Sequence, residues 1–181
     1  MNIKKFQAWA EKEHSPQKRL LLIIPALMFF CFILPVLFVV ASAALDQYFH
    51  WPLFGLGYLN GISGIVCILI GAWLGLWTVR IQFVLGGGTP APFMPTHNLI
   101  ILGPYKFCRN PMVFGVFIAY LGIAVWAASP SGVIIAILFL TVASGYIKLV
   151  EENELEVRFG AEYTNYKKIT PFILPYPKRR A

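Results

Sequence analysis

Two short stretches carry most of the side chains here that are equipped for chemistry. The first is His97-Asn98-Leu99-Ile100-Ile101-Leu102-Gly103-Pro104-Tyr105-Lys106-Phe107-Cys108-Arg109-Asn110-Pro111-Met112, a polar loop punctuated by Gly and Pro. The second is the carboxylate pair Glu151-Glu152. Carboxylates accept charge-assisted hydrogen bonds from an ammonium or a hydroxyl, and a guanidinium donates them to an anion; such bonds are stronger than neutral ones. A loop with Tyr105, Arg109 and Asn110, set beside Glu151 and Glu152, can therefore hold a small charged molecule. Pro104 and Pro111 stiffen the loop, which reduces the entropy lost on binding. Glu151, Glu152, Glu154 and Glu156 also fit a solvated helix end balanced by nearby Lys and Arg. Spacing alone leaves both accounts open.

Whatever positions these stretches is not a soluble scaffold. Of the 181 residues, 58% are hydrophobic and 13% charged, against about 25% charged in soluble domains. Leu20 to Leu45 is an uncharged apolar run, longer than the roughly 20 residues a spanning helix needs. It is too long for the apolar core of a cleavable signal. Pro25 and Pro35 should kink it. A second span runs from about Phe54 to Val79, with Gly57 and Gly61 four apart, as are Gly71 and Gly75. Small residues at that spacing let helix backbones approach.

Residues 1–19 carry Ile3, Phe6, Trp9 and Ala10 at helical spacing, which suits an interfacial helix. Gly86-Gly87-Gly88 begins a connector with no Lys-Ser/Thr after it, so it is not a phosphate-binding loop. Met112–Ala128 and Gly132–Leu149 then form an antiparallel hairpin around Ser129-Pro130-Ser131. Four crossings put 1–19, 80–111 and 150–181 on one side. All fifteen Lys and Arg fall there or at its edge, and the opposite links, 46–53 and 129–131, hold none. The positive-inside rule makes that side cytoplasmic, with both termini on it. The net charge of +7 thus reports orientation and attraction to anionic lipid, and no nucleic-acid partner is expected. Cys31, Cys67 and Cys108 make no disulfide framework, and no metal site is expected.

The order and spacing of Gly103-Pro104-Tyr105-Lys106-Phe107-Cys108-Arg109-Asn110-Pro111-Met112, Glu151-Glu152, Leu155, Phe159-Gly160, Tyr163, Tyr166, Pro171 and Pro175 resemble the isoprenylcysteine carboxyl methyltransferase family. That family is related to the phospholipid methyltransferases, and the resemblance covers roughly the C-terminal half. Asn110 stands where the eukaryotic enzymes have His, as in prokaryotic-type members. Their substrate-contacting Arg falls on Ile147, beside Lys148.

The resemblance implies an all-α integral membrane protein with four transmembrane helices. Residues 1–19 would be the interfacial helix and 20–79 the first two spans. Residues 80–181 would be the methyltransferase core: loop 80–111, hairpin 112–149 and tail 150–181. It implies S-adenosylmethionine as cofactor, held by His97, Asn98, Leu99, Ile100, Gly103, Tyr105, Asn110, Pro111, Met112, Val113 and Glu151. Arg109 and Glu152 are the residues expected to act on the acceptor. That acceptor is a small amphipathic or lipid-linked molecule entering from the bilayer, foremost an isoprenylcysteine-like carboxylate. Methylation of a phospholipid ethanolamine headgroup is the alternative; an NADPH-dependent membrane reductase and a non-enzymatic scaffold also fit the outline. Oligomeric state stays open.

Overall fold

The computed structural model describes residues 21, 24, 25, 27–55, 57–86 and 98–174. The interfacial helix expected within 1–19, His97 and the end of the tail lie outside these residues. Every regular element among the described residues is helical. A π-helical turn at Phe29–Ile33 leads into α1, Leu34–Phe49. Pro35 explains that turn: it lacks an N–H, and its ring presses on the carbonyl four residues earlier. A widened turn absorbs the mismatch. Then come α2, Tyr58–Leu85, a 3₁₀ turn at Gly103–Lys106, and α3, Pro111–Trp126. Helix α4, Pro130–Tyr146, passes through a second π turn, Ile147–Glu151, into α5, Glu152–Ile169.

Among the described residues, three helical stretches are long and apolar enough to cross a membrane: Phe29–Phe49, Tyr58–Leu85 and the continuous helix that starts at Pro130. Helix α3 is shorter, and α2 and α4 both pack on it. Leu37, Val40, Leu69 and Val142 point outward from the bundle, as lipid-facing side chains do. Phe38, Tyr120, Ala124 and Ala136 form its centre, with the Phe38 and Tyr120 rings edge to face at 4.8 Å.

The tightest seam joins α2 to α3 and is made of glycine. A Cβ on Gly64 would lie 2.6 Å from that of Trp126 and 2.8 Å from the Gly122 carbonyl oxygen. One on Gly71 would lie 2.5 Å from the amide nitrogen of Ala119. Gly122 and Gly115 meet α2 in the same way from the other side. The opposed pairs sit one heptad apart, which suits a long antiparallel crossing. Of the four glycines expected to pack, Gly71 does and Gly75 lends its backbone nitrogen, 3.1 Å from a Cβ built on Gly115, although a Cβ on Gly57, Gly61 or Gly75 itself would meet open space.

At one end of the bundle, the Asp46 carboxylate closes the α3–α4 link. It accepts from the Ser129 hydroxyl and, at 2.9 Å, from the Ser131 amide at the start of α4. A carboxylate there satisfies orphan amides and opposes the helix dipole. At the other end, α2 runs on to Leu85, beyond the expected Val79, because no helix breaker precedes Gly86. That extension carries Gln82 to the loop.

Candidate functional site

The loop reaches its position by packing on the last turns of α2. Gly103 has φ +60°, a left-handed turn that glycine adopts without Cβ strain, and it sits against Ile81 and Trp77. The 3₁₀ turn then buries Pro104 and Cys108. Burial pushes the Cys108 thiol up to about 11, so it stays protonated and is no nucleophile. Pro111 opens α3, where its missing N–H costs nothing.

Facing this loop is the far half of α5, which turns back on itself. Gly160 has φ +52° and ψ −126°, values outside the helical region. Beyond it Tyr163 and Tyr166 are buried, and the Tyr166 hydroxyl donates to the Tyr105 carbonyl at 2.7 Å. The segment after α5 straps onto the loop. The Arg109 amide donates to the Pro171 carbonyl at 2.9 Å, and Asn110 Nδ2 donates to the Phe172 carbonyl at 2.9 Å. The Phe172 ring lies under two cations, Arg109 at 5.4 Å and Lys148 at 4.9 Å.

Between loop, α2 and α5 lies a cavity of about 220 Å³. The loop and α3 contribute Leu99, Ile100, Tyr105, Arg109, Asn110, Pro111, Met112 and Val113 to its lining, and the second π turn contributes Glu151. Those nine belong to the set expected from sequence. Asn98 and Gly103 are close by in the chain but do not line it, and His97 lies outside the described residues. Five further lining residues, Gln82, Leu155, Phe159, Tyr163 and Tyr166, were given no role from sequence.

The charges divide into a paired set and an open one. Glu152 is buried with both oxygens engaged, Oε1 at 2.6 Å from Arg109 and Oε2 at 2.7 Å from Lys167. It stands behind the cavity wall rather than in it. Arg109 keeps one buried donor, Nε, without a partner, and Gln82 keeps one buried acceptor, Oε1. Glu151 opens on the cavity, and its carboxyl is held above the usual carboxylate range. Crowding by protein is the main cause, with the charges of Glu154 and Glu152 adding to it. Burial likewise holds the Tyr105 phenol up, and the nearby Glu151 charge acts in the same direction. Ile147, where the resemblance puts a substrate-contacting Arg, is buried. No group of His, Cys, Asp and Glu suited to a metal ion occurs among the described residues.

The lining combines charged, polar and apolar groups. Glu151 offers an anion, Arg109 Nε an unused donor, and the surrounding rings and aliphatic chains offer apolar faces. A protein described as protein-S-isoprenylcysteine O-methyltransferase from Mus musculus, and its namesake from Rattus norvegicus, are each 38% identical over 86 residues. The match covers 46% of this chain and 29% of each relative. No solved structure matches the chain at a significant level. The family model described as phospholipid methyltransferase matches residues 59–162, from the start of α2 to just past the Gly160 turn in α5. On that match, the chain belongs to the phospholipid methyltransferase family.

Proposed function

We propose that this chain is an integral membrane methyltransferase that uses S-adenosylmethionine and methylates the carboxylate of an isoprenylcysteine-like, lipid-linked acceptor. The observation that carries the reading is the meeting of Glu151 with the 99–113 loop around one cavity, although some forty residues separate them. When bound, the cofactor supplies a methyl group on a sulfonium, which a carboxylate takes as an ester while a neutral thioether departs.

The chain's own residues bind and orient. Glu151 receives the cofactor ammonium, and Arg109 Nε–H reaches the cofactor carboxylate or the anionic head of the acceptor. Glu152 is a positioning residue: it fixes the Arg109 guanidinium through one oxygen and the returning tail through the other. A carboxylate acceptor is already a nucleophile, so no general base is required. Rate then comes from orientation and from the exclusion of water by Tyr163 and Tyr166. The cavity end faces the cytoplasm under the positive-inside rule, since the links expected on the opposite side, 46–53 and 129–131, hold no Lys or Arg. The acceptor's tail remains in the bilayer.

The family description favours one second reading, N-methylation of a phospholipid ethanolamine. Incubation with methyl-labelled cofactor separates the two. Label released by base as methanol supports the ester, and base-stable label migrating with phospholipid supports the amine. Calorimetry on the detergent-solubilised chain tests the site itself. Glu151→Ala should weaken cofactor binding about tenfold, or about 1.4 kcal/mol; unchanged affinity removes the assignment.

A further inference from the structure

One polar pair in the cavity is not accounted for by the charged groups. Gln82, near the end of α2, donates its Nε2–H to the hydroxyl oxygen of Tyr105. That oxygen therefore acts as an acceptor, and the phenol's own proton must find another partner. The remaining oxygen of Gln82 is buried without a donor. Buried acceptors in native proteins are nearly always satisfied, so an exception calls for an explanation. Both residues line the cavity. Together they leave one acceptor and one donor proton in the cavity wall unassigned, without net charge.

A planar base edge carrying an amine next to a ring nitrogen is the complement of that pair. The amine donates to the free amide oxygen, and the ring nitrogen accepts the phenol proton. The charged end of a nucleoside amino acid has its own partners, Glu151 and Arg109 Nε, which leaves the neutral pair for the neutral base. Leu99, Ile100 and Met112 line the same cavity and supply apolar surface for the faces of the ring. A ribose hydroxyl is a weaker candidate, because it rotates freely and needs no fixed pair.

We propose that Gln82 and Tyr105 are positioning and specificity residues that read the adenine edge of the methyl donor, through Gln82 Oε1 and the Tyr105 O–H. The proposal rests on the reading that the cavity holds S-adenosylmethionine, and its test keeps the two apart. Replacing adenine by hypoxanthine turns the amine into a carbonyl and puts a hydrogen on the adjacent ring nitrogen. Both partners are then reversed. A site built on hydrogen bonds rejects such an analogue strongly.

The experiment is calorimetric binding of S-adenosylhomocysteine and S-inosylhomocysteine to the full chain in detergent. The unaltered chain should prefer the adenosyl ligand by at least about tenfold. Gln82→Met, close in shape but without the amide, should bring the two within about twofold; Tyr105→Phe should narrow the gap. A purely structural Gln82 would lower both affinities together and keep their ratio. Equal binding by the unaltered chain, or a ratio kept in Gln82→Met, overturns the proposal. Should Gln82→Met not fold, the unaltered ratio and Tyr105→Phe still decide. Binding of neither ligand to the unaltered chain overturns the cofactor reading, and this proposal with it.

Discussion

Lys167 Nζ lies 3.0 Å from Glu156 Oε1, although eleven residues separate them. Along an unbroken helix that interval is about 16 Å, so the chain must reverse between them. Gly160 is where it does so. A Cβ there would meet nothing within 4 Å, so the cost of adding one is backbone strain alone. Gly160→Ala should cost about 1–3 kcal/mol, paid as loosening of the segment that carries Tyr163 and Tyr166. Limited proteolysis should cut the 160–174 region faster, and cofactor affinity should fall. Gly145→Ala, in a helical position with equal room, should leave both unchanged. If Gly160→Ala behaves the same way, the fold-back does not depend on that glycine.

Glu152 and Lys167 should answer to substitution less symmetrically than their 2.7 Å contact suggests. The Arg109 and Glu152 side chains keep only 11% and 6% of their surface exposed. Glu152→Gln leaves the guanidinium buried without an anion, which should cost about 3–5 kcal/mol. Lys167→Met removes a cation that is 37% exposed, and screening limits that loss to about 1 kcal/mol. Thermal unfolding of the two variants checks the ranking. Comparable losses would mean that Glu152 is no more committed to Arg109 than to the tail.

The part of the site legible in sequence is the part that is local. Tyr105 to Val113 is one loop and one helix start, and its chemistry can be read along the chain. Glu151 was legible because an acidic pair at the end of an apolar run is conspicuous. Tyr163 and Tyr166 were visible as motif members but had no role, since only the reversal at Gly160 brings them over the cavity. Gln82 was hidden for another reason. Arg80 reads as the exit from the membrane, yet nothing between it and Gly86 breaks the helix. Asn98 and Gly103 show the converse, since neighbours of lining residues need not line anything. In the bundle, the spans and the hairpin followed from hydropathy. The glycine seam did not, because a four-residue spacing suggests a short crossing, whereas this one repeats over a heptad.

That seam gives a packing prediction. Gly71→Val would drive a branched side chain into the backbone of α3 near Gly115 and Ala119. The helices must then separate, forfeiting contacts along both, and overpacking of this kind costs about 1–3 kcal/mol or more. Gly75→Ala, one turn further on with nothing within 4 Å, should be tolerated. Thermal unfolding in a fixed detergent measures both. Equal tolerance would mean that the two helices do not pack as closely as described.

Glu151 should show opposite signs in stability and in binding. Its carboxyl is raised above the ordinary value of 4.5, first by crowding and then by the charges of Glu154 and Glu152. An acid that is harder to ionise in the folded chain than in the unfolded one destabilises the fold when ionised. The penalty is absent below pH 4.5, grows as pH rises through the raised value, and is complete above it. Glu151→Gln should therefore raise the melting temperature of the ligand-free chain at neutral pH, with the gain vanishing in acid. Binding runs the other way, because an ammonium partner requires the carboxylate. Affinity for S-adenosylmethionine should fall as pH drops through the same raised value, and Glu151→Gln should lower it at neutral pH. A group whose removal steadies the empty protein while weakening its ligand is held in place by function. Loss of both properties together would instead mark Glu151 as part of the scaffold.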